Sequence, residues 1–174
     1  VVGWLELGDA EQASDWLANA SSHIHEPFLV WTESHTANQH QTLTDEGCYH
    51  FMTGAGGFVQ SIVYGYGGVR IALESDSAAP ESMQPVLTVN PVLPPGATSF
   101  RLRALSFLGG RVSVTLPNST APVEICLLQK PDQTSAFTAT WDAGGNQTAK
   151  LKEVGQCVWG TGRARLRPVD WASA

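Results

Sequence analysis

The sequence predicts an α+β chain, with helices and loops over residues 1–70 and an antiparallel β-sandwich over 71–174. Two observations carry this. Hydrophobic spacing changes from helical to alternating near residue 70, and about eight short apolar runs follow, separated by Pro and Gly. With 174 residues, 43% hydrophobic and 15% charged, the chain has enough apolar material for a packed core and too little charge for disorder.

The first segment, 1–7, reads as the end of a helix without a start signal, so the sequence is expected to open inside a larger domain. Gly8-Asp9 forms a joint. Asp9 is placed to cap a second helix over 9–22, and Gln12 completes a capping-box pattern. Ala13, Trp16, Leu17, Ala20 and Ile24 fall at helical spacing and predict one stripe facing a core. After some 30 residues with little period comes another helix, carrying Phe58, Val59, Ile62, Val63 and Tyr66. The run Thr53-Gly54-Ala55-Gly56-Gly57 leads into it and Gly67-Gly68 stops it. Irregular connections as long as 23–52 are uncommon in compact domains and usually carry function.

Strands are expected at 69–74, 86–89, 99–107, 111–116, 123–128, 136–141, 149–154 and 163–167. Leu108-Gly109-Gly110-Arg111 is a hairpin-turn candidate. Strands at this spacing make an antiparallel sandwich.

The net charge of -6 is dispersed, without basic runs or basic-aromatic interleaving, which excludes a nucleic-acid partner. No apolar stretch is long enough to span a bilayer, so no membrane partner is expected. Three of the five Asn residues, Asn19, Asn118 and Asn146, begin Asn-x-Ser/Thr sequons, more than chance supplies. The excess points to a secreted, vacuolar or lysosomal glycoprotein. Cys48, Cys126 and Cys157 are an odd set. Cys126 and Cys157 share the β-rich half and could pair, while buried free thiols fit the residues equally well.

In the long connection, Glu26-Pro27-Phe28-Leu29-Val30-Trp31-Thr32-Glu33 ends an apolar approach with a carboxylate beside an indole. Burial against an indole can raise a carboxyl pKa, and the indole can also serve as a platform for a sugar ring. A solitary loop Glu is more often solvated or a helix cap, and both readings stand on the residues alone. The polar run 34–47 is placed to form a flap over such a site or a surface insertion. His23, His25, His35, His40 and His50 match no metal-binding spacing, so no metal is expected.

Three runs together are similar to the end of the catalytic domain of glycoside hydrolase family 65. They are the Trp31-Thr32-Glu33 element, then Phe51-Met52-Thr53-Gly54-Ala55-Gly56-Gly57-Phe58-Val59-Gln60, then Val63-Tyr64-Gly65-Tyr66-Gly67-Gly68-Val69-Arg70-Ile71. The resemblance covers about residues 1–75. It is strongest to the acid trehalase-like branch, which includes the glucosidase acting on collagen's glucosylgalactosyl-hydroxylysine. It implies that residues 1–70 are the last helices of an (α/α)6 toroid and that the strands form an appended β domain.

The resemblance further implies an inverting α-glycoside hydrolase with Glu33 as general base, Trp31 and Thr32 positioning it, and Thr53 and Gly54 near substrate, while His50, a loop histidine next to Phe51, is placed to hydrogen-bond a sugar there. The resemblance also implies that the general acid comes from the upstream part of the same polypeptide; Glu6, Glu26 and Glu46 have polar or helix-end settings that do not keep a carboxyl protonated and so do not replace it. Residues 1–174 alone are therefore expected to be inactive. The partner is a carbohydrate substrate, and no cofactor is needed, since two carboxylates and water suffice. One rival is a family phosphorylase, which would use phosphate in place of water. Another is a non-catalytic secreted carbohydrate-binding module built on the sandwich.

Overall fold

The computed structural model describes residues 1–26, 29–33, 50–75, 81–143 and 147–171. The expected flap at 34–47, with His35, His40 and Glu46, lies outside the described residues, as do Pro27, Phe28, Cys48 and the sequon residue Asn146. Backbone contacts divide the chain into two units, Val1–Gly65 and Tyr66–Ala174.

The first unit begins with α1 (Val2–Glu6) and α2 (Ala10–Ser21). Asp9 caps α2 as expected, its Oδ1 accepting from Gln12 N–H at 3.0 Å. The other half of the capping box does not form, because Asp9 N–H is already donated to Trp4 O at 2.8 Å. The expected apolar stripe is only partly covered: Ala13 is buried, but Trp16 is 52% exposed. Two short strands follow, β1 (Ile24–His25) and β2 (Val30–Trp31), pairing antiparallel with Ile24 opposite Trp31. The connection expected to be irregular therefore contains a small hairpin. Next comes α3 (Met52–Gln60), which continues in wider π-type turns over Ser61–Tyr66. The glycine run is thus inside α3 rather than ahead of it. Among the described residues there are three α-helices, the longest of 12 residues, and none is long and apolar enough to cross a membrane.

The sandwich expected over 71–174 takes the form of a curled antiparallel sheet. Its strands are β3 (Arg70–Ser75), β4 (Met83–Val89), β5 (Phe100–Phe107), β6 (Gly110–Leu116), β7 (Val123–Gln129), β8 (Phe137–Ala143), β9 (Thr148–Leu151) and β10 (Cys157–Pro168). The order is β3-β4-β10-β7-β6-β5, with β8 on β10 and β9 on β8. β10 makes the curl possible. Its first four residues pair with β7 (Gly160↔Val123), whereas Ala164–Leu166 lie between β4 and β8.

The change of partner falls at Gly160-Thr161-Gly162. A Cβ at Gly160 would lie 2.2 Å from the Trp141 ring, and Gly162 has φ +86° at a register shift against β8. Only glycine fits both demands, and the irregularity bends the strand.

The curl encloses Val112, Val114, Ile125, Leu127, Phe137, Trp141, Leu151 and Leu166, all fully buried. Each such side chain contributes about 1.5–3 kcal/mol of burial. Phe107 packs on Phe137 with ring centroids 5.4 Å apart. The pairing left open for Cys126 and Cys157 is a disulfide, and the two residues stand directly opposite each other on β7 and β10. The expected hairpin at Leu108-Gly109 is present, with both residues at positive φ. On the opposite face, Glu74 of β3 ion-pairs with Arg167 and, at 3.9 Å, with Arg165 Nε, bridging across β4 to β10.

Candidate active site

The segment ending in Glu33 is held from both sides. On one side the β1–β2 hairpin grips Thr32, whose N–H donates to His23 O at 3.0 Å. The Thr32 hydroxyl lies 3.4 Å from the same carbonyl and 3.1 Å from His25 Nε2. A threonine hydroxyl has one proton. When that proton points to His23 O, His25 Nε2 is the donor and Thr32 Oγ1 the acceptor, which fixes the imidazole orientation.

On the other side the segment is fixed to α3. Trp31 O accepts from Phe51 N–H at 2.8 Å, and Phe51 is the residue immediately before the helix. The Trp31 ring lies 4.7 Å, centroid to centroid, from that of Phe58, tilted by 45°. Gly54, in the first turn of α3, is where these groups converge. A Cβ there would lie 2.6 Å from Phe51 Cδ1 and 3.1 Å from Trp31 Cδ1. A Cβ at Gly56 or Gly57 would meet nothing within 4 Å among the described residues.

Glu33 is thus the second residue beyond a backbone carbonyl bonded at the amino end of α3, and its side chain is exposed within this chain. Thr53 is exposed in the first turn of α3, where helix N–H groups lack intrahelical acceptors and the dipole end is positive. His50 is exposed too, and its carbonyl accepts from Met52 N–H at 2.9 Å. The structure therefore brings Trp31 and Gly54 together with Phe51 and Phe58, and Thr32 together with His23 and His25. Sequence reasoning missed His25 as a partner of Thr32. The signal was there in principle, as a His and a Thr seven residues apart across a turn, but two-residue strands leave too little alternation to reveal a hairpin.

Among the described residues, Glu124, Cys126 and Cys157 bring possible metal-ligand atoms within 4.8 Å of one another. The two sulfurs are spent in the disulfide, and Glu124 accepts from Trp159 Nε1 at 3.1 Å.

Over most of its length the chain is similar to a group of glucosidases. The protein-glucosylgalactosylhydroxylysine glucosidase of Danio rerio is 31% identical over 137 residues, 79% of this chain and 18% of that protein. The enzyme of the same name from Dictyostelium discoideum is 35% identical over 125 residues, 71% of this chain and 15% of its own. That of Gallus gallus is 30% identical over 132 residues, 75% and 16% respectively. The chain thus spans less than a fifth of the length of these curated relatives. Each of these matches is longer than either unit of the fold, so the similarity extends into both units. No family model matches, and no solved structure matches.

Proposed function

We propose that the chain is part of an inverting α-glycoside hydrolase of family 65, in its acid trehalase-like branch, with Glu33 as general base. The observation that carries this is the fixing of the Trp31-Thr32-Glu33 segment to the amino end of α3 by the Phe51 N–H···O=C Trp31 bond, with Gly54 admitting the close approach. A carboxylate there can take a proton from a water attacking the anomeric carbon. Trp31 and Thr32 hold the backbone that aims it, and Thr53, Gly54 and His50 face substrate. The general acid comes from polypeptide outside residues 1–174, about 6.5 to 9.5 Å from the base, leaving room for the water. The names of the relatives support an α-linked glucosyl conjugate of the glucosyl-galactosyl-hydroxylysine kind as substrate. Residues 1–70 form the last helices of an (α/α)6 toroid, and the protein follows the secretory route.

Glu33→Gln in the full-length enzyme is expected to reduce kcat by about 100- to 10,000-fold while leaving KM within a few fold. Steady-state kinetics on a glucosyl-galactosyl conjugate measures this, and near-wild-type turnover removes Glu33 from the mechanism. Following the released sugar by NMR with and without phosphate separates hydrolysis with inversion from phosphorolysis, since only the latter yields a sugar phosphate.

A further inference from the structure

Three sequons occur in the chain, and the fold treats the two whose Asn is described very differently. Asn118 lies between β6 and β7, in an exposed turn bounded by Pro117 and Pro122. Its side-chain Oδ1 accepts three hydrogen bonds: from Thr120 N–H at 3.0 Å, from Ala121 N–H at 2.8 Å and from the Thr120 hydroxyl at 3.0 Å. Two of these donors are backbone N–H groups, which can only donate, so the amide oxygen must face them. The amide orientation is therefore set by chemistry, with Nδ2 on the side away from the turn.

This arrangement couples the two residues that define a sequon. The hydroxyl at the third position touches the amide at the first, while the amide nitrogen, with no hydrogen bond among the described residues, is left to an outside reagent. All the contacts are within three residues in sequence, so the turn can form before the sheet closes, when a co-translational transferase has access.

Asn19 is the opposite case. It lies inside α2, and residues two apart on a helix do not face each other. The Ser21 hydroxyl accordingly donates to Ala18 O at 2.8 Å rather than meeting the Asn19 side chain. The Asn19 backbone carbonyl accepts from the Ser22 hydroxyl at 2.6 Å.

The Cys126–Cys157 disulfide, joining the strand that follows this turn to β10, belongs to an oxidising compartment, the one in which such transferases work. We propose that Asn118 is an N-glycosylation site and that Asn19 is not. The inference rests on the secretory route proposed above but is independent of the hydrolase reading. The donor is an oligosaccharide linked to a lipid diphosphate. Asn118 Nδ2 forms a bond to the anomeric carbon of its first sugar, the bond from that carbon to the diphosphate oxygen breaks with its electron pair, and the amide gives one proton to the transferase. The glycan then projects from the β6–β7 connection.

The test is site-by-site peptide mass spectrometry on the full-length protein isolated from its own cells. The sample is treated with peptide-N-glycosidase in 18O water, which converts each occupied Asn to labelled Asp. Label at Asn118 in most molecules with none at Asn19 is the expected result. Asn118→Gln and Thr120→Ala, expressed in the same cells, should each remove the label at 118 and the corresponding gel shift, whereas Asn19→Gln should change neither. A glycan on another sequon with Asn118 bare overturns the site and spares the route. All sequons bare together with free Cys126 and Cys157 thiols overturns both.

Discussion

The two units bury their apolar side chains to very different extents. Residues 66–174 close a continuous core around Trp141 and Phe137, with strands whose inward positions are fully buried. Among the described residues of 1–65, Ala13 is the single buried hydrophobic side chain, while Trp16 and Leu7 remain 52% and 78% exposed. The sheet thus carries its own stabilising interior. The helical unit keeps its order through local devices: the Asp9 cap, the β1–β2 hairpin and the bond from Phe51 to Trp31. Exposed apolar side chains grouped in this way are a general feature of interaction surfaces. The proposed function places the chemistry in the helical unit, apart from this interior, and on that division substitutions in the two units should have opposite signatures.

The largest expected effect on stability is in the sheet. Cys126→Ala together with Cys157→Ala removes a cross-link spanning 31 residues of sequence. Loop-closure entropy puts the loss at about 3 to 4 kcal/mol. Denaturant unfolding monitored by tryptophan fluorescence should show the midpoint fall while activity, measured well below the transition, stays near wild type. A comparable loss of turnover under folding conditions would mean that the sheet and the site are not separable.

How much of this was legible in the residues follows the same division. Strands β5, β6 and β7 were readable to within a residue because alternation and turn chemistry agree there, as at Leu108-Gly109. β10 was expected to begin at 163 and in fact begins at Cys157. Two glycines within six residues look like a loop in sequence, yet Gly160 is what allows Trp141 to pack against the strand, a constraint visible only from the partner. β4 likewise starts ahead of expectation, since Pro85 within the run argues against a strand.

In the helical unit the ordered Trp31-Thr32-Glu33 and glycine-run motifs marked the segment. Their contact did not follow from spacing, because three glycines at 54, 56 and 57 oppose helix formation by about 1 kcal/mol each relative to Ala. The structure gives a reason for Gly54 and none for the other two.

Gly54→Ala sharpens the comparison from the other side. Helix propensity favours the change by about 1 kcal/mol, while the new methyl requires the Phe51 ring to move and presses on Trp31. These terms roughly cancel, so the unfolding midpoint should shift by no more than about 1 kcal/mol in either direction. Displacing the Trp31 backbone carries Glu33 with it, and a misplacement of about 1 Å can cost on the order of 100-fold in rate. The full-length variant should therefore fold normally and lose turnover, the reverse of the cysteine pair. Equal losses of both, or neither, would break the proposed division.

The smallest effect lies just past the end of β10, where Asp170 fastens the chain to the β7–β8 connection. Its Oδ1 accepts from the Thr134 hydroxyl at 2.6 Å and from Ser135 N–H at 2.8 Å. These bonds, the Thr134 hydroxyl first, hold its carboxyl below the ordinary value of 3.8. The folded state then binds this proton more weakly than the unfolded chain does. The contribution is present above the unfolded value and is lost as pH falls through the lowered one. Ser135 N–H should therefore exchange with solvent more readily, relative to intrinsic rates, as the pH drops below about 4. In Asp170→Asn, which keeps an acceptor oxygen but cannot titrate, that pH dependence should vanish. The side chain is fully exposed, so the fastening is local: amide protection in β6 and β7 should not follow the Asp170 titration, and if it did, the terminal bond would have to be counted among the determinants of the core.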